Sequence, residues 1–234
     1  MIDKEIFKDI VDFALAIRDG KVTFDFENLP KEQNPARYAV YIYAIHRLGY
    51  TSLPQVVSNA NFKRIKTKRM FRGINNIKYH NDVLSGEDFH YGYGNYGYGL
   101  YFAHDRGEAL AFAGYAKSNV LKAHFAEDTA LADWDHIMGI SYAFIYKNEN
   151  LLNERSLELY HEIAKIENEQ DREFIYKMFE KDLSLLALAL GYDGMFTDQD
   201  DHMHLITTLF NRSKLVVSES EYERITGKKP SELE

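Results

Sequence analysis

An arginine within a short apolar segment is the first residue whose type and position could carry chemistry. Arg72 lies in Met70-Phe71-Arg72-Gly73. A buried guanidinium is costly unless it is paired, and its planar fork of donors suits a phosphate or a ribose hydroxyl. A second interpretation is an edge-strand arginine held in a salt bridge. The segment therefore indicates either an anion-binding group or a structural ion pair.

A glycine-punctuated run follows, with glycines at positions 92, 94, 97 and 99 among tyrosines. Glycine permits positive φ and lets the backbone approach a ligand closely. The spacing Gly-x-Gly-x-x-Gly occurs in dinucleotide-binding folds, but here no strand precedes it and a strand, not a helix, follows it. A Rossmann site is therefore disfavoured. A ligand-binding loop and a flexible tyrosine-rich loop both remain as interpretations.

Polar residues cluster again just before the last predicted strands, over positions 198–204. The cluster holds Asp198, Asp200, Asp201, His202 and His204. Such oxygen and imidazole groups can bind divalent ions, but no glycine and no terminal glutamate fall at the spacing of an EF-hand loop. We therefore expect no bound metal. A catalytic role and a merely solvated loop both remain open for this segment.

The elements that must position these residues follow from hydrophobic periodicity. Helices are predicted over 2–17, from Asn34 to Leu48, over 52–60, 133–147, 153–166 and 171–190. Strands are predicted over 70–74, 100–103, 120–125, 192–196 and 205–210, with a short one at 215–217, whereas 77–90 is predicted to be irregular. The first 65 residues thus form a helical unit. Strands interspersed with helices, without regular alternation, indicate an α+β fold.

Composition and charge restrict the class of protein. The chain has 234 residues, 45% of them hydrophobic, with 17 Tyr, no Cys and a net charge of −8. Disulfides and thiolate metal sites are excluded, and the acidic balance argues against a protein that coats nucleic acid. One basic run, from Lys63 to Arg69, is either a local landing site or a solvated linker. With no apolar run of membrane-spanning length and no signal core, we expect a cytoplasmic protein that contacts no membrane.

Three stretches together resemble the NAD-binding core of the ADP-ribosyltransferase superfamily. They are Phe71-Arg72-Gly73, then Gly97-Tyr98-Gly99-Leu100-Tyr101-Phe102-Ala103, then Ala109-Leu110-Ala111-Phe112-Ala113. The later stretches 190–195 and 209–215 resemble the closing strands of bacterial and phage versions of that domain. The resemblance covers roughly residues 70–217 and leaves out the N-terminal helices.

The resemblance implies a fold and a set of roles. The fold is a split antiparallel β-sandwich of ADP-ribosyltransferase type, over 66–234, with an N-terminal helical subdomain over 1–65. NAD is then the substrate. Arg72 contacts its ribose or phosphate, Gly73 offers backbone groups to the carboxamide, and Gly99 belongs to the same cofactor-binding set. Tyr101 packs against nicotinamide, and Phe112 takes the place of a second stacking aromatic.

The sequence departs from the family at the third motif. The family places a glutamate at the start of the strand that ends here in Leu209-Phe210-Asn211, where it stabilises the cation formed as nicotinamide leaves. No acidic residue faces the same way as Phe210 on this strand. His204 is the best polar candidate, and Asp200 and Asp201, just upstream, are the nearest carboxylates.

The function implied is transfer of ADP-ribose from NAD to a macromolecular acceptor, as a mono-ADP-ribosyltransferase. A protein acceptor is favoured by the acidic charge, and a nucleic acid remains open. The bacterial and phage setting implies a toxin or host-modifying effector. One alternative is an NAD glycohydrolase on the same fold, with water as acceptor. The other, supported by the missing glutamate, is a degenerate module that binds a nucleotide or a partner without catalysis.

Overall fold

The structure is a computed structural model that describes residues 2–22, 34–86, 92–94, 97–197 and 205–230, and for 92–94 the backbone alone. Its organising element is a mixed β-sheet. The strands within the described ranges are β1 Gln55–Val57, β2 Arg69–Gly73, β3 Gly92–Gly94, β4 Gly97–Ala103, β5 Val120–Phe125, β6 Leu131–Asp133, β7 Gly194–Phe196, β8 Ile206–Leu209 and β9 Leu215–Ser218. Eight of them follow one hydrogen-bonded path in the order β1-β9-β5-β2-β4-β8-β7-β6, and β3 pairs with β4. The outermost pairs, β1 with β9 and β6 with β7, are parallel, and the rest are antiparallel.

The sheet is joined in its middle by a single register pair. β2 pairs with β5 through five register pairs, and β4 pairs with β8 through four. Between β2 and β4, however, only Phe71 and Ala103 are paired. The backbone of Arg72 and Gly73 therefore lies in no ladder on the side that faces β4. Two four-stranded halves, β1-β9-β5-β2 and β4-β8-β7-β6, meet at this one position.

Helices cover the sheet and carry most of the remaining core. Those within the described ranges are α1 Lys4–Arg18, α2 Pro35–Arg47, α3 Asn59–Phe62, α4 Lys78–Ser85, α5 Arg106–Phe112, α6 Trp134–Ile145, α7 Glu154–Ala164, α8 Glu169–Lys181, α9 Leu183–Ala189 and α10 Glu219–Thr226. Side-chain caps fix where several of them begin. Asp3 caps α1, Asn34 caps α2 with Pro35 in its first turn, and Asp133 caps α6, because these side chains accept hydrogen bonds from otherwise unpaired backbone N–H groups.

The chain is α+β, as the sequence predicts, and the helices over 2–17, 133–147 and 153–166 are confirmed to within a few residues. The helix predicted over 52–60 is wrong. Gln55–Val57 is strand β1, and the short α3 begins after Ser58, whose hydroxyl accepts from the Asn61 N–H. β1 is held by pairing with β9 near the other end of the chain, so no local pattern encodes it.

Two further element predictions are corrected. Residues 171–190 form two helices because Asp182 has extended dihedrals (φ −142°, ψ 92°) and its side chain caps α9. Residues 77–90 are not irregular throughout, since α4 occupies 78–85 and ends at Gly86, which has φ +76°. Most residues of α4 are polar, so its sequence shows no clear hydrophobic pattern, although Val83 and Leu84 are buried in the core.

The N-terminal helices pack into the same hydrophobic cluster as the sheet. Ile10, Tyr41 and Ile45 belong to a cluster that includes Phe210. The ring centroid of Tyr41 lies 5.0 Å from that of Tyr98 and 6.3 Å from that of Phe210. The boundary near residue 65 stays a prediction.

Candidate functional site

Arg72 is a buried arginine on β2. Its side chain is 5% exposed, and its Nη1 lies 2.9 Å from Nδ1 of His80. Burial lowers the pKa of the guanidinium to about 10, because removal from water disfavours the charged form. The group stays positively charged near neutral pH even so.

His80, on α4, holds Arg72 without neutralising it. The imidazole is fully buried, and its Nε2 lies 3.0 Å from the carbonyl oxygen of Asn119. A carbonyl only accepts, so Nε2 carries the proton and Nδ1 accepts from Arg72. Burial first, and then the neighbouring charge of Arg72, lowers the His80 pKa to about 3. The histidine is therefore neutral, and the pair keeps the full positive charge of the guanidinium.

No carboxylate compensates Arg72 within the described ranges. Its contact with His80 is the one hydrogen bond that its side chain makes to a described residue, and it enters no ion pair. The neighbouring Arg224, by contrast, forms an ion pair with Glu221 at 2.7 Å. A buried, uncompensated charge is costly, and an arginine has five donors. Most of the Arg72 donors are therefore not used by the described residues, and the ion pair of the second interpretation is not found among them.

Gly73 is a glycine because α5 lies directly against it. A Cβ at this position would stand 1.6 Å from the carbonyl oxygen of Ala109. Phe71, on the same face of β2, packs with Ala103, Ala109 and Ala113 in a small separate cluster. This packing explains the glycine without a ligand. The side of Gly73 that faces β4 is still free of any ladder.

The aromatic residues expected around nicotinamide lie on the α5 face of the sheet. Phe71 pairs with Ala103, so alternation puts Tyr101 on the face of Phe71 and puts Arg72 on the opposite one. The Tyr101 hydroxyl donates to the carbonyl oxygen of Gly97 at 2.6 Å. Phe112 ends α5 and is 57% exposed. Arg72 and Tyr101 therefore lie on opposite faces of the sheet, close to the single register pair that joins β2 and β4.

The two glycines of β4 admit neighbouring side chains. Gly99 has φ +152°, and a Cβ on it would lie 2.3 Å from Cγ2 of Thr208. Gly97 has φ +90°, and its Cβ would lie 2.0 Å from Oγ of Ser184. That hydroxyl accepts from the Tyr98 N–H at 2.8 Å. Close packing of β8 and α9 on β4 thus accounts for both glycines.

The third-motif candidates, His204, Asp200 and Asp201, lie outside the described residues, as do Asp198 and His202. The strand that follows them is β8, whose Thr208 pairs with Tyr101 of β4. Their part in a site therefore stays a prediction.

Two polar contacts near the site were not expected from the sequence. His80 falls in a segment predicted to be irregular, and its meeting with Arg72 depends on how α4 folds back on β2. His104, one residue after β4, has its Nε2 3.0 Å from Oγ1 of Thr207 and its Nδ1 3.1 Å from Nζ of Lys68. Neither histidine stands in a motif, and only their polarity beside the predicted strands marks them in the sequence.

Among the described residues, no group of three or more His, Asp or Glu side chains is arranged to hold a metal ion. In the same part of the chain, none of the helices combines the length and the apolar character needed to cross a membrane.

Comparison of the chain with protein-family models, with curated proteins and with solved structures finds no match. The fold family and activity that the three stretches imply therefore rest on the residues of this chain and on their arrangement.

Proposed function

We propose that this chain binds NAD in the gap between β2 and β4 and transfers its ADP-ribose to a nucleophile on a macromolecule. The order of the strands carries the proposal. The stretches that resemble ADP-ribosyltransferases at 71–73 and 97–103 are far apart in the sequence, yet they lie on the neighbouring strands β2 and β4, and the stretch 209–215 begins at the last residue of β8, the next strand. The single register pair between β2 and β4 supports the related assignment of a split sandwich of that family.

The Arg72 side chain supplies the binding charge in this proposal. NAD carries a pyrophosphate, and a guanidinium binds phosphate oxygens in a bidentate manner. Because His80 is neutral, the positive charge of Arg72 is available to the ligand. The backbone of Arg72 and Gly73, outside any ladder on the β4 side, offers donors and acceptors to the carboxamide.

The reaction follows from that placement. The bond between C1′ of the ribose and the nicotinamide nitrogen breaks, and nicotinamide leaves with the electron pair. The acceptor nucleophile then forms a bond to C1′ and gives up its proton. The sugar is cationic in the transition state, so a nearby negative or polar group lowers the barrier. We assign that role to His204, Asp200 or Asp201, which precede β8. Tyr101 and Phe112 frame the nicotinamide.

The test is release of nicotinamide from NAD, measured by chromatography with and without a cell lysate. Arg72→Gln removes the charge, and we expect it to lower the rate about a hundredfold, as loss of a single transition-state contact does. Arg72→Lys keeps the charge but loses the planar set of guanidinium donors, so its rate should lie between those of the wild type and Arg72→Gln. Arg106→Gln, at an exposed arginine that begins α5, is the matched control and should retain the wild-type rate.

Circular dichroism and thermal unfolding of each variant separate loss of activity from loss of fold. Release that needs no lysate indicates an NAD glycohydrolase. If folded wild-type protein neither binds NAD nor releases nicotinamide, the proposed enzymatic function is contradicted. The remaining alternative is then the degenerate module that binds a partner without catalysis. The setting as a cytoplasmic toxin or phage effector rests on the resemblance alone.

A further inference from the structure

A run of exposed basic residues precedes β2. Its members are Lys63, Arg64, Lys66, Lys68 and Arg69. Within the described part of the chain, none of them forms an ion pair, whereas cations elsewhere, such as Lys4, Arg18 and Lys214, each bind a carboxylate. In a chain with 36 acidic and 28 basic side chains, five neighbouring cations without such partners form a local positive surface. We call it the basic run.

A cleft of about 240 Å³ opens where the basic run reaches the sheet. Its apolar lining includes Met70, Phe125, Leu131 and Phe196, and its polar lining includes His104, Thr207, Lys68, Thr67 and Thr129. Glu127 is its one acidic residue. The cleft is smaller than the pockets of roughly 300–1,000 Å³ that hold drug-sized ligands. It suits one flat, largely apolar ring with polar edges.

The polar wall of the cleft has a fixed direction of hydrogen bonding. The Lys68 ammonium can only donate, so Nδ1 of His104 accepts at 3.1 Å and Nε2 carries the proton. Nε2 then donates to Oγ1 of Thr207 at 3.0 Å. The Thr207 hydroxyl keeps its own proton, which can be donated to an acceptor inside the cleft. A ring nitrogen or carbonyl of a nucleobase is such an acceptor.

We propose that the basic run and the cleft bind a single strand of nucleic acid, with phosphates along the run and one base in the cleft. Charge alone would also fit a run of acidic side chains, but aspartate and glutamate have no flat ring to fill the cleft. A duplex keeps its bases stacked and paired, so it could not insert one without the cost of extrusion. Nonspecific single-strand binding combines a basic track with apolar surfaces for the bases, and both are present here.

The position of this surface deepens the proposed function. Lys68 immediately precedes β2 and Met70 is its second residue, His104 follows β4, and Thr207 is the second residue of β8. These are the three strands of the proposed NAD site. If that function holds, on which this step rests, the bound strand is the acceptor of ADP-ribose. The binding itself does not depend on NAD.

The experiment measures binding of a fluorescent 12-nucleotide single strand by anisotropy, over a range of salt concentrations. Lys63→Gln, Arg64→Gln and Lys66→Gln together remove three charges and leave the Lys68–His104 contact intact. We expect this triple variant to bind at least about tenfold more weakly at low salt, with the salt slope smaller by about two, since each phosphate contact on a single strand contributes about 0.7. Lys147→Gln, Lys181→Gln and Lys229→Gln, at exposed lysines elsewhere, remove the same charge and should change neither quantity.

A strand of the same length with abasic sites tests the cleft, and we expect it to bind on the order of tenfold more weakly. Equal binding by the triple variant and its control overturns the proposal. Equal binding of abasic and normal strands, preference for a duplex, or equal competition by polyglutamate also overturns it. Nicotinamide release without oligonucleotide is measured in parallel and should be unchanged in the triple variant. Strand binding without any NAD turnover contradicts the proposed function alone.

Discussion

Asp182 is a buried carboxylate whose protonation should contribute to the stability of the folded protein on mild acidification. Its Oδ1 accepts from the Ser184 hydroxyl at 2.8 Å and from the backbone N–H groups of Ser184 and Leu185. Its Oδ2 is buried without a hydrogen-bond partner in the described part of the chain. Burial raises the pKa of Asp182 from 3.8 to about 6, although those hydrogen bonds and the charge of Arg37 act in the opposite direction.

The sign and the size of the effect follow from proton linkage. The folded state holds the proton more tightly than the unfolded state, so folding is favoured as the pH falls through 6 and the gain is complete below 3.8. A difference of about two pKa units corresponds to about 3 kcal/mol in total. Of this, roughly 1 kcal/mol should appear between pH 7 and pH 5.

The perturbation is Asp182→Asn, which keeps the capping oxygen and removes the titration. Urea unfolding at several pH values between 7 and 4 gives the free energy of unfolding of each protein. Between pH 7 and pH 5, the free energy of unfolding of the wild type should rise by about 1 kcal/mol relative to that of the variant. Any fixed cost of the buried amide cancels, because it is the same at every pH. Asp105→Asn, the same change at the exposed cap of α5, controls for loss of a charged cap. A difference between wild type and Asp182→Asn that stays constant with pH would refute the reasoning.

Two further predictions follow from the site. Because the folded-state pKa of His80 is depressed from 6.5 to about 3, its contribution to stability is present above pH 6.5 and is lost as the pH falls. Between pH 7 and pH 5 the wild type should therefore lose on the order of 2 kcal/mol of its free energy of unfolding through His80, and His80→Gln should abolish this loss. The same urea titrations measure it, and equal pH dependence of the wild type and His80→Gln would contradict the prediction. Gly73→Ala should lower the free energy of unfolding by about 3 kcal/mol, because the added Cβ would lie 1.6 Å from the carbonyl oxygen of Ala109 and must push α5 away. Gly139→Ala, at an open position inside α6, should instead stabilise by up to about 1 kcal/mol, and similar melting temperatures for the two alanine variants would refute the packing argument.

The sequence predicts best where the signal is local. α6 is found because Asp133 caps it and its apolar residues recur at helical spacing. β1 is missed because three residues carry no usable period and the strand is held by β9. The break at Asp182 is missed because an aspartate within a periodic run does not reveal that it is buried and capping.

In the candidate site, too, the features with a local signal could be predicted from the sequence and the others could not. That Arg72 sits in a strand and is buried could be predicted from the apolar residues beside it. Its partner could not, because His80 reaches it only through the packing of α4 on β2. The order β2-β4-β8 is likewise a property of the folded sheet, and no spacing in the sequence encodes it.

The lone register pair between β2 and β4 also has a consequence for how the sheet is held together. Elsewhere along the sheet each junction has at least two register pairs, so backbone pairing is sparsest at Phe71 and Ala103. The backbone pairing there amounts to one or two hydrogen bonds, each worth about 1 kcal/mol net, while core side chains such as Phe102 and Phe125, with ring centroids 5.2 Å apart, hold the two halves together. In the proposed function NAD would therefore bind at the least paired junction of the sheet, where every other ladder lies within one half-sheet.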